Sequence, residues 1–282
     1  MQWDFLFEHL KLSVTGLEKV SGGDINEAFR VVTASRDYFL KVNDAARFPD
    51  LFLREAEGLE KLRACKMLHI PKVMGYGAVG GLQYLLLEWC GHGQPSRNAQ
   101  QCLGAGLAAL HRITAPSFGF ETDNYIGSLP QINQPSESWP AFYAQYRILP
   151  LAAQLRSSGD LNSTDIKRIE KCCLAFAEIF PEEPPALLHG DLWSGNYIIG
   201  AEGDAFLIDP AVYFGHREMD IGMTRLFGGF SNDFYEAYHH AYPLQSGWQH
   251  RITYTQLYPL LVHALLFGGA YTGRVKKIIS QF

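Results

Sequence analysis

The residues best suited to do chemistry lie in a polar loop between two apolar runs. In "LLHGDLWSGNYIIG" (187–200), Asp191 and Asn196 follow the spacing H-x-D-x-x-x-x-N. Phosphoryl-transfer enzymes use this spacing to place a carboxylate beside the attacking hydroxyl and an amide oxygen on a magnesium ion. Asp191 is therefore a candidate base and Asn196 a candidate magnesium ligand. The alternative is that both residues simply form turns, as Asp and Asn often do in loops.

A second candidate metal ligand ends the next apolar run. Asp209 follows "AFLI" and lies thirteen residues after Asn196, where the protein-kinase pattern has the aspartate of D-F-G. Mg²⁺ prefers hard oxygen ligands, so one amide, one carboxylate and the phosphates of a nucleotide would suffice. Pro210 and Ala211 follow Asp209 here, a departure seen in small-molecule kinases. Considered alone, Asp209 could instead cap a strand before a proline.

A lysine and a glutamate near the N-terminus form a third signal. Lys41 lies inside the apolar run "YFLKV", and Glu55 follows in "DLFLREAEGLEKLRA". Helical spacing places Glu55 on the same apolar stripe as Leu51 and Leu59, where a carboxylate is costly unless it is paired. Lys41 is the natural partner, and the pair would orient the ammonium toward ATP phosphates. Alone, Lys41 could equally be a sheet-edge or snorkelling residue.

The glycine turn Gly22-Gly23 is a candidate phosphate-binding element. Its backbone N–H groups could cover nucleotide phosphates, although it lacks the full G-x-G-x-x-G and a plain hairpin turn would look the same. The order of the signals is more informative than any one of them. Glycine turn, strand lysine, helix glutamate, connector, H-x-D-x-x-x-x-N loop and strand aspartate follow one another as in protein kinases.

The sequence predicts a small strand-rich region followed by a mainly helical one, and these two regions would position the candidate residues. Hydrophobic patterning predicts strands and one helix before residue 90, and the turn-forming segment around Pro95 is the predicted boundary. The predicted fold is α+β, protein-kinase-like and bilobal, with an N-terminal ATP-binding lobe that ends in the hinge (1–90) and a C-terminal catalytic and substrate-binding lobe (91–282). Helices are predicted over Gln101–Ile113 and Lys167–Phe180, separated by a Pro-, Asn- and Ser-rich stretch, Ala115–Pro140.

Bulk composition argues against several classes of partner. A chain of 282 residues with 47% hydrophobic residues can bury a large core. The net charge of −5, without a long Lys/Arg run, argues against nucleic acid. The longest apolar stretch, Leu257–Ala270, is short for a membrane span and is interrupted by His263. The first residues lack a basic leader, and five cysteines without a C-x-x-C pair argue for reduced thiols. A cytoplasmic protein is expected, and the oligomeric state is left open.

With "HGDLWSGN" and "IDPAVYFGHREMDIGM" in view, the chain resembles the fructosamine kinase (ketosamine-3-kinase) family, relatives of aminoglycoside phosphotransferases and choline kinases. The resemblance extends through "GGDINEAFRV", "FLKVN", "FGFETDNYIGSLPQIN", "SWPAFYAQYRILP" and "MTRLFGGF". Trp193-Ser194 and the segment 118–133 are its more family-specific parts. The family often has a cysteine in the glycine turn where this chain has Asp24, so redox switching at that position is not expected.

The resemblance implies ATP-dependent phosphorylation of the C3 hydroxyl of a ketosamine, the adduct of a sugar with an amine. Phosphate at C3 then becomes a leaving group, and the adduct decomposes and frees the amine. Small amines or glycated proteins would be the carriers, and the sugar, fructose, ribulose or erythrulose, is left open.

The resemblance also implies roles for individual residues in catalysis and nucleotide binding. Asp191 would be the base, while Asn196 and Asp209 would hold magnesium. Lys41 would clamp the phosphates, with Glu55 as its partner. The backbone groups of two further residues would contact adenine in the hinge, namely Glu88 and Cys90.

Other roles implied by the resemblance concern the acceptor and the loop. Trp193 would stack against the sugar, or else brace the loop as a core residue. His189 would support the loop backbone, and Asp220 would accept hydrogen bonds from it. Two residues are possible substrate contacts, His216 and Glu218.

Two other functional interpretations compete with that of a ketosamine kinase. An aminoglycoside, choline or homoserine kinase would use the same chemistry on another hydroxyl, but those groups lack "TDNYIGSLPQ" in this form. An inert nucleotide-binding pseudokinase would be expected to have lost the base, the lysine or a metal ligand, whereas all of these are present here.

Overall fold

The computed structural model describes residues 3–20 and 26–282, and its N-terminal part is built on a five-stranded sheet. Neighbouring strands are antiparallel, in the order β1-β2-β3-β5-β4. Lys41 lies on the central strand β3, opposite Ala28 on one side and Leu85 on the other, so the edge-strand alternative for this lysine is wrong. The strands are β1 Val14–Lys19, β2 Glu27–Thr33, β3 Tyr38–Asp44, β4 Val73–Val79 and β5 Leu82–Glu88.

Two helices accompany the sheet, α1 (Asp4–His9) and α2 (Leu51–Ala64). Helix α2 is the helix predicted from the apolar stripe around Glu55. Its buried stripe includes Leu51 and Leu59, as the periodicity of 3.6 residues requires.

The rest of the chain is mainly helical, which confirms the predicted α+β plan. The boundary predicted after residue 90 stays a prediction, with β5 ending at Glu88 and the next helix beginning at Arg97. In the described chain, a π-helix (Tyr143–Ile148) lies between α4 and α5. The helices are α3 Arg97–Leu110, α4 Trp139–Phe142, α5 Leu149–Ser157, α6 Ser163–Ile179, α7 Glu218–Phe227, α8 Asn232–Ala241, α9 Trp248–Thr255, α10 Leu257–Phe267 and α11 Ala270–Ile279.

Helices α3 and α6 begin four residues earlier than predicted because polar caps extend them. Ser96 Oγ accepts a hydrogen bond from Ala99 N–H at the start of α3. At the start of α6, Asn162 and Asp165 form a reciprocal capping box. Such caps satisfy backbone N–H groups that have no partner within the helix.

Three short two-stranded ribbons position the polar loops of the site. The predicted irregular stretch 115–140 contains one of them, the hairpin of β6 (Asn124–Ile126) and β7 (Leu129–Gln131). The other two pair β8 with β11 and β9 with β10. They are built from β8 Ala186–Leu188, β9 Tyr197–Ile199, β10 Ala205–Leu207 and β11 Tyr213–Gly215.

A shared apolar core joins the sheet region to the helical region. Helix α2 contributes Phe52 and Leu59 to a buried cluster that also contains Leu103 of α3 and Leu187 of β8. Among the described residues, no helix combines the length and the hydropathy needed to cross a membrane.

We predict that Gly104→Ala destabilises the protein even though alanine favours helices. An added Cβ would lie 2.2 Å from the Phe234 carbonyl oxygen of α8, so the two helices would have to separate. Overpacking of this kind costs about 1–3 kcal/mol. Gly273→Ala in α11 is the matched control, because a Cβ there meets no atom of the described residues within 4 Å, and the change should stabilise the protein by about 0.5–1 kcal/mol. Denaturant unfolding measures both changes, and equal stability of the two variants would contradict the proposed packing of α3 on α8.

Candidate active site

The polar loop 189–196 lies between β8 and β9, and a second loop, 208–212, lies between β10 and β11. The two loops are joined by backbone hydrogen bonds, because Ala211 N–H donates to His189 O at 2.9 Å and Ile208 N–H donates to Asn196 O at 3.0 Å. The ribbons thus bring Asp191 and Asp209 to one place.

A buried aspartate fixes the backbone at the start of the first loop. Asp220, near the start of α7, accepts hydrogen bonds from His189 N–H at 2.8 Å and Gly190 N–H at 2.9 Å. Gly190 has φ +84°, and a Cβ there would overlap the Ala211 carbonyl oxygen. The His189 ring also supports the loop, since its Nδ1 accepts from Asp191 N–H at 3.3 Å and its Nε2 lies 3.0 Å from Ile208 O of the second loop. These contacts match the supporting roles expected for Asp220 and His189.

Asp191 and Asn196 are in direct contact. Asn196 Nδ2 donates to Asp191 Oδ2 at 2.9 Å and to the Asp191 carbonyl oxygen at 2.8 Å. The side-chain NH₂ group of Asn196 therefore donates its hydrogen bonds to Asp191 within the loop. Within residues 3–20 and 26–282, Asn196 Oδ1 has no hydrogen-bond donor, and the side chain lines the cleft. An amide oxygen in this state is suited to bind a cation.

Burial changes the acidity of Asp191. Removal from water raises the pKa of Asp191 to about 7, against the hydrogen bond from Asn196, and the nearby carboxylates of Asp209 and Asp220 raise it further. A carboxylate with a pKa near 7 is a much stronger base than an ordinary aspartate, yet it is still ionised in a large part of the population at neutral pH.

The ammonium of Lys41 lies between two carboxylates. Its Nζ is 2.7 Å from Glu55 Oε1 and 2.5 Å from Asp209 Oδ1. The side chains of Lys41 and Glu55 are almost fully buried, whereas Asp209 is 38% exposed toward the cleft. Asp209 has φ +55°, a left-handed conformation that costs a non-glycine residue energy and is often found at functional sites.

The Lys41 ammonium attracts both carboxylates, whereas the two carboxylates repel each other. Burial disfavours the Lys41 ammonium, but the carboxylates of Asp209 and Glu55 outweigh that effect and raise the pKa of Lys41. Burial also raises the pKa of Glu55, although the ammonium opposes this. Two carboxylates face one ammonium, so the cluster has a surplus negative charge that a further cation would neutralise.

These side chains meet in one cleft of about 230 Å³. Trp193 lines it and also packs edge-on against Phe227, with ring centroids 5.7 Å apart. Trp193 therefore lines the cleft and packs on a neighbouring ring, and its stacking against a sugar stays a prediction. The lining includes Lys41, Glu55, Asn124, Tyr125, Asp191, Trp193, Asn196, Asp209 and His263.

The hinge residues are partly engaged with the protein itself. Glu88 N–H donates to Lys72 O at 3.0 Å, and Cys90 O accepts from Ala201 N–H at 3.0 Å. In the described part of the chain, Cys90 N–H has no partner and could serve adenine. Contact of Glu88 and Cys90 with adenine stays a prediction. The glycine turn Gly22-Gly23 lies outside the described residues.

The expected substrate contacts of His216 and Glu218 are wrong. His216 is fully buried between the rings of Trp139 and Phe180, and burial lowers its pKa to about 4. Glu218 is also fully buried, with its carboxylate held by the Arg251 guanidinium at 2.6 to 3.2 Å. Both side chains lie in the interior at the start of α7, and neither lines the cleft of the described structure.

Several residues that support the site were not predicted from the sequence. His111, the residue that follows α3, is buried, with Nε2 3.1 Å from Asp220 Oδ2 and Nδ1 2.8 Å from the Tyr238 hydroxyl. Because this histidine follows an apolar helical run, the neighbouring sequence does not indicate that it contributes to the site. Asn124 and Tyr125 of β6 lie in the segment 118–133, and only its family-specific character pointed to them.

Comparisons with known proteins agree with this geometry. The sequence model of the fructosamine kinase family matches residues 6–282. The chain is 40% identical over 269 residues to a probable ketoamine kinase of Enterococcus faecium, covering 93% of this chain and 94% of that protein. It is 35% identical over 287 residues to the chloroplastic protein-ribulosamine 3-kinase of Arabidopsis thaliana, covering 100% and 86%.

Solved structures confirm the kinase-like fold. A protein of Thermobifida fusca assigned as a fructosamine-3-kinase superposes with a TM-score of 0.89 at 36% identity, covering 98% of this chain and 96% of that one. The aminoglycoside phosphotransferase APH(4)-Ia, in ternary complex with AMP-PNP and hygromycin B, superposes with a TM-score of 0.65 at 20% identity, covering 98% and 96%. This second likeness concerns the fold alone.

We predict that Asp191→Asn abolishes turnover and yet stabilises the ligand-free protein above pH 7. A positioned base contributes about 10²–10⁴-fold to a rate. Because the folded-state pKa of Asp191 is raised to about 7 from 3.8, ionisation opposes folding, so the wild type loses stability as pH rises from about 4 to about 7. The neutral amide avoids that loss. Melting temperatures from pH 4 to 8 should show a gain that is full above pH 7 and shrinks toward pH 4; a gain independent of pH would contradict the raised pKa.

Proposed function

Because the chain belongs to the fructosamine kinase family, we propose that it transfers the γ-phosphoryl group of ATP to the C3 hydroxyl of a ketosamine. Fructosamine, ribulosamine and erythrulosamine adducts are the candidate acceptors. The observation that carries the proposal is the cleft itself, where three groups line a single space: a buried carboxyl group, an amide oxygen to which no described residue donates, and a lysine between two carboxylates.

The base and the lysine have separate tasks in this reaction. Asp191 accepts the proton of the acceptor hydroxyl while that oxygen bonds to the γ-phosphorus and the bond to the β-phosphate oxygen breaks. Lys41 contacts the phosphates and neutralises part of their charge, and Glu55 holds its ammonium in place at 2.7 Å. Asn196 orients Asp191 through the 2.9 Å hydrogen bond to Oδ2.

The residues present fit a magnesium ion. Asn196 Oδ1 and the Asp209 carboxylate are hard oxygen ligands, and both residues line the cleft. The surplus negative charge around Lys41 also favours a divalent cation. We propose that Asn196 and Asp209 hold Mg²⁺, which when bound would neutralise phosphate charge and orient the nucleotide. Lys41 would then exchange its contact with Asp209 for one with phosphate.

The consequence for the substrate follows from its chemistry. A phosphate at C3 of a ketosamine is a good leaving group beside the C2 carbonyl. Its elimination destabilises the adduct, which then releases the amine. The proposed role is therefore deglycation of small amines or of proteins.

The acceptor side of the cleft offers aromatic surface to a sugar. We propose that Trp193 stacks against the sugar of the ketosamine, as its place in the cleft beside Asp191 supports.

A cytoplasmic location belongs to the same proposal, since all five cysteines are free thiols.

A panel of acceptors tests the proposal, with ADP release measured in the presence of ATP. We predict turnover with ketosamines that carry fructose, ribulose or erythrulose head groups, and loss of turnover when magnesium is chelated. Kanamycin, choline and homoserine are the controls for the same chemistry on another hydroxyl. A position-specific readout, phosphorus NMR of the product, should place the phosphate at C3. Turnover with a control acceptor and none with any ketosamine would overturn the proposed substrate.

A further inference from the structure

Helix α2, which carries Glu55, is fixed at its N-terminus by a residue from the hairpin β6–β7. The Tyr125 hydroxyl donates a hydrogen bond to Pro49 O at 2.9 Å. The next residue, Asp50, has φ +58° and caps α2 without a side-chain hydrogen bond. A left-handed Asp whose side chain does not cap the helix is unfavourable, so this end of α2 depends on contacts from outside the helix. One of them is the hydrogen bond that Phe52 N–H donates to Gln83 Oε1 of β5 at 3.4 Å.

The middle of α2 is fixed against the loop that carries Asp209. A Cβ on Gly58 would lie 3.1 Å from Val212 Cγ2 and 3.5 Å from Pro210 Cγ. Glycine thus lets the helix backbone approach the loop closely, one turn away from Glu55. The position of Glu55 relative to Asp209 is therefore set by direct packing.

The hairpin also holds that loop. Asn124 Nδ2 donates to Val212 O at 2.8 Å, and Gln131 Nε2 donates to Ala211 O at 3.2 Å. Asn124 Oδ1 accepts hydrogen bonds from Gln131 Nε2 at 2.8 Å and from Asn133 Nδ2 at 3.0 Å. These amides are buried and paired with one another, so their geometry is well determined.

A buried arginine anchors the hairpin to the helical region. Arg147, in the π-helix, is fully buried and donates to Ile132 O and to Asn133 Oδ1 at 2.5 and 2.6 Å. Its guanidinium also lies over the rings of Tyr213 and Tyr258, 4.3 and 5.5 Å from their centroids. The base of the hairpin is therefore held to the helical region by several contacts of one side chain.

Together these contacts form a closed circuit through the site. It runs from Glu55 through Lys41 to Asp209, along the loop to Val212, through the hairpin to Pro49, and back along α2. We infer that the hairpin β6–β7 is a positioning element for the Lys41–Glu55 pair and that Tyr125 is its positioning residue. Tyr125 acts by holding the start of α2, so that the phosphate-binding ammonium is in place before substrates bind. The inference concerns the proposed kinase reaction and rests on it.

Tyr125→Phe tests the inference because it removes the hydroxyl and keeps the ring. We expect kcat to fall about fivefold, the effect of one lost hydrogen bond, with the acceptor KM unchanged within about twofold. In a Glu55→Gln background the same change should cost less than about twofold, since Tyr125 acts through Glu55. Hydrogen exchange of the first amides of α2 should become faster in Tyr125→Phe.

The matched control is Tyr76→Phe, on the edge strand β4. Tyr76 is about half exposed, and its hydroxyl makes no hydrogen bond among the described residues. This variant should leave kcat, KM and exchange of α2 unchanged.

Three results would overturn the inference. A raised acceptor KM with an unchanged kcat would mean that Tyr125, which also lines the cleft, binds substrate directly. If the fold-losses in kcat of Tyr125→Phe and Glu55→Gln multiply when the two changes are combined, Tyr125 and Glu55 act independently. Unchanged exchange of α2 would mean that the hydroxyl does not hold the helix. If the wild type phosphorylates no ketosamine, the proposed function fails, whereas the exchange measurement still tests the role of Tyr125.

Discussion

The Lys41 ammonium is removed from water and must be neutralised by its neighbours. Burying an unpaired charge costs several kcal/mol, and here Glu55 and Asp209 supply the compensating charge at 2.7 and 2.5 Å. The two carboxylates come from distant parts of the chain, one from α2 and the other from the loop after β10. The sheet region and the helical region therefore have to meet at this point, and the cleft forms where they do.

The remaining features of the site follow from that constraint. The surplus carboxylate charge leaves Asp209 able to serve a cation, and the same negative surroundings help to raise the pKa of Asp191. Both contacts require that α2 and the Asp209 loop are held in fixed positions relative to Lys41. Gly58, Asn124 and Asp220 supply this support without touching Lys41.

The sequence predicted the parts of the site that depend on local spacing. Glu55 was predictable as the partner of Lys41 because a carboxylate on an apolar helical stripe requires compensation, and Asp191 and Asn196 followed from their separation in one loop. The contact of Lys41 with Asp209 joins residues 168 positions apart, so no local pattern encodes it. His216 and Glu218 were misplaced because their burial depends on distant partners, Phe180 and Arg251 among them. Strands of three residues, as in the hairpin β6–β7, are too short for periodicity to show.

A double-mutant cycle on Lys41 and Glu55 tests most directly the claim that the buried pair sets the geometry of the cleft. The kcat/KM for ATP is measured in the wild type, Lys41→Ala, Glu55→Ala and the double variant, with folding checked by melting temperature. If Glu55 acts by positioning Lys41, the double variant should lose little more than Lys41→Ala alone. A coupling energy below about 0.5 kcal/mol, the margin for unconnected sites, would show that the two residues act independently and would contradict this account.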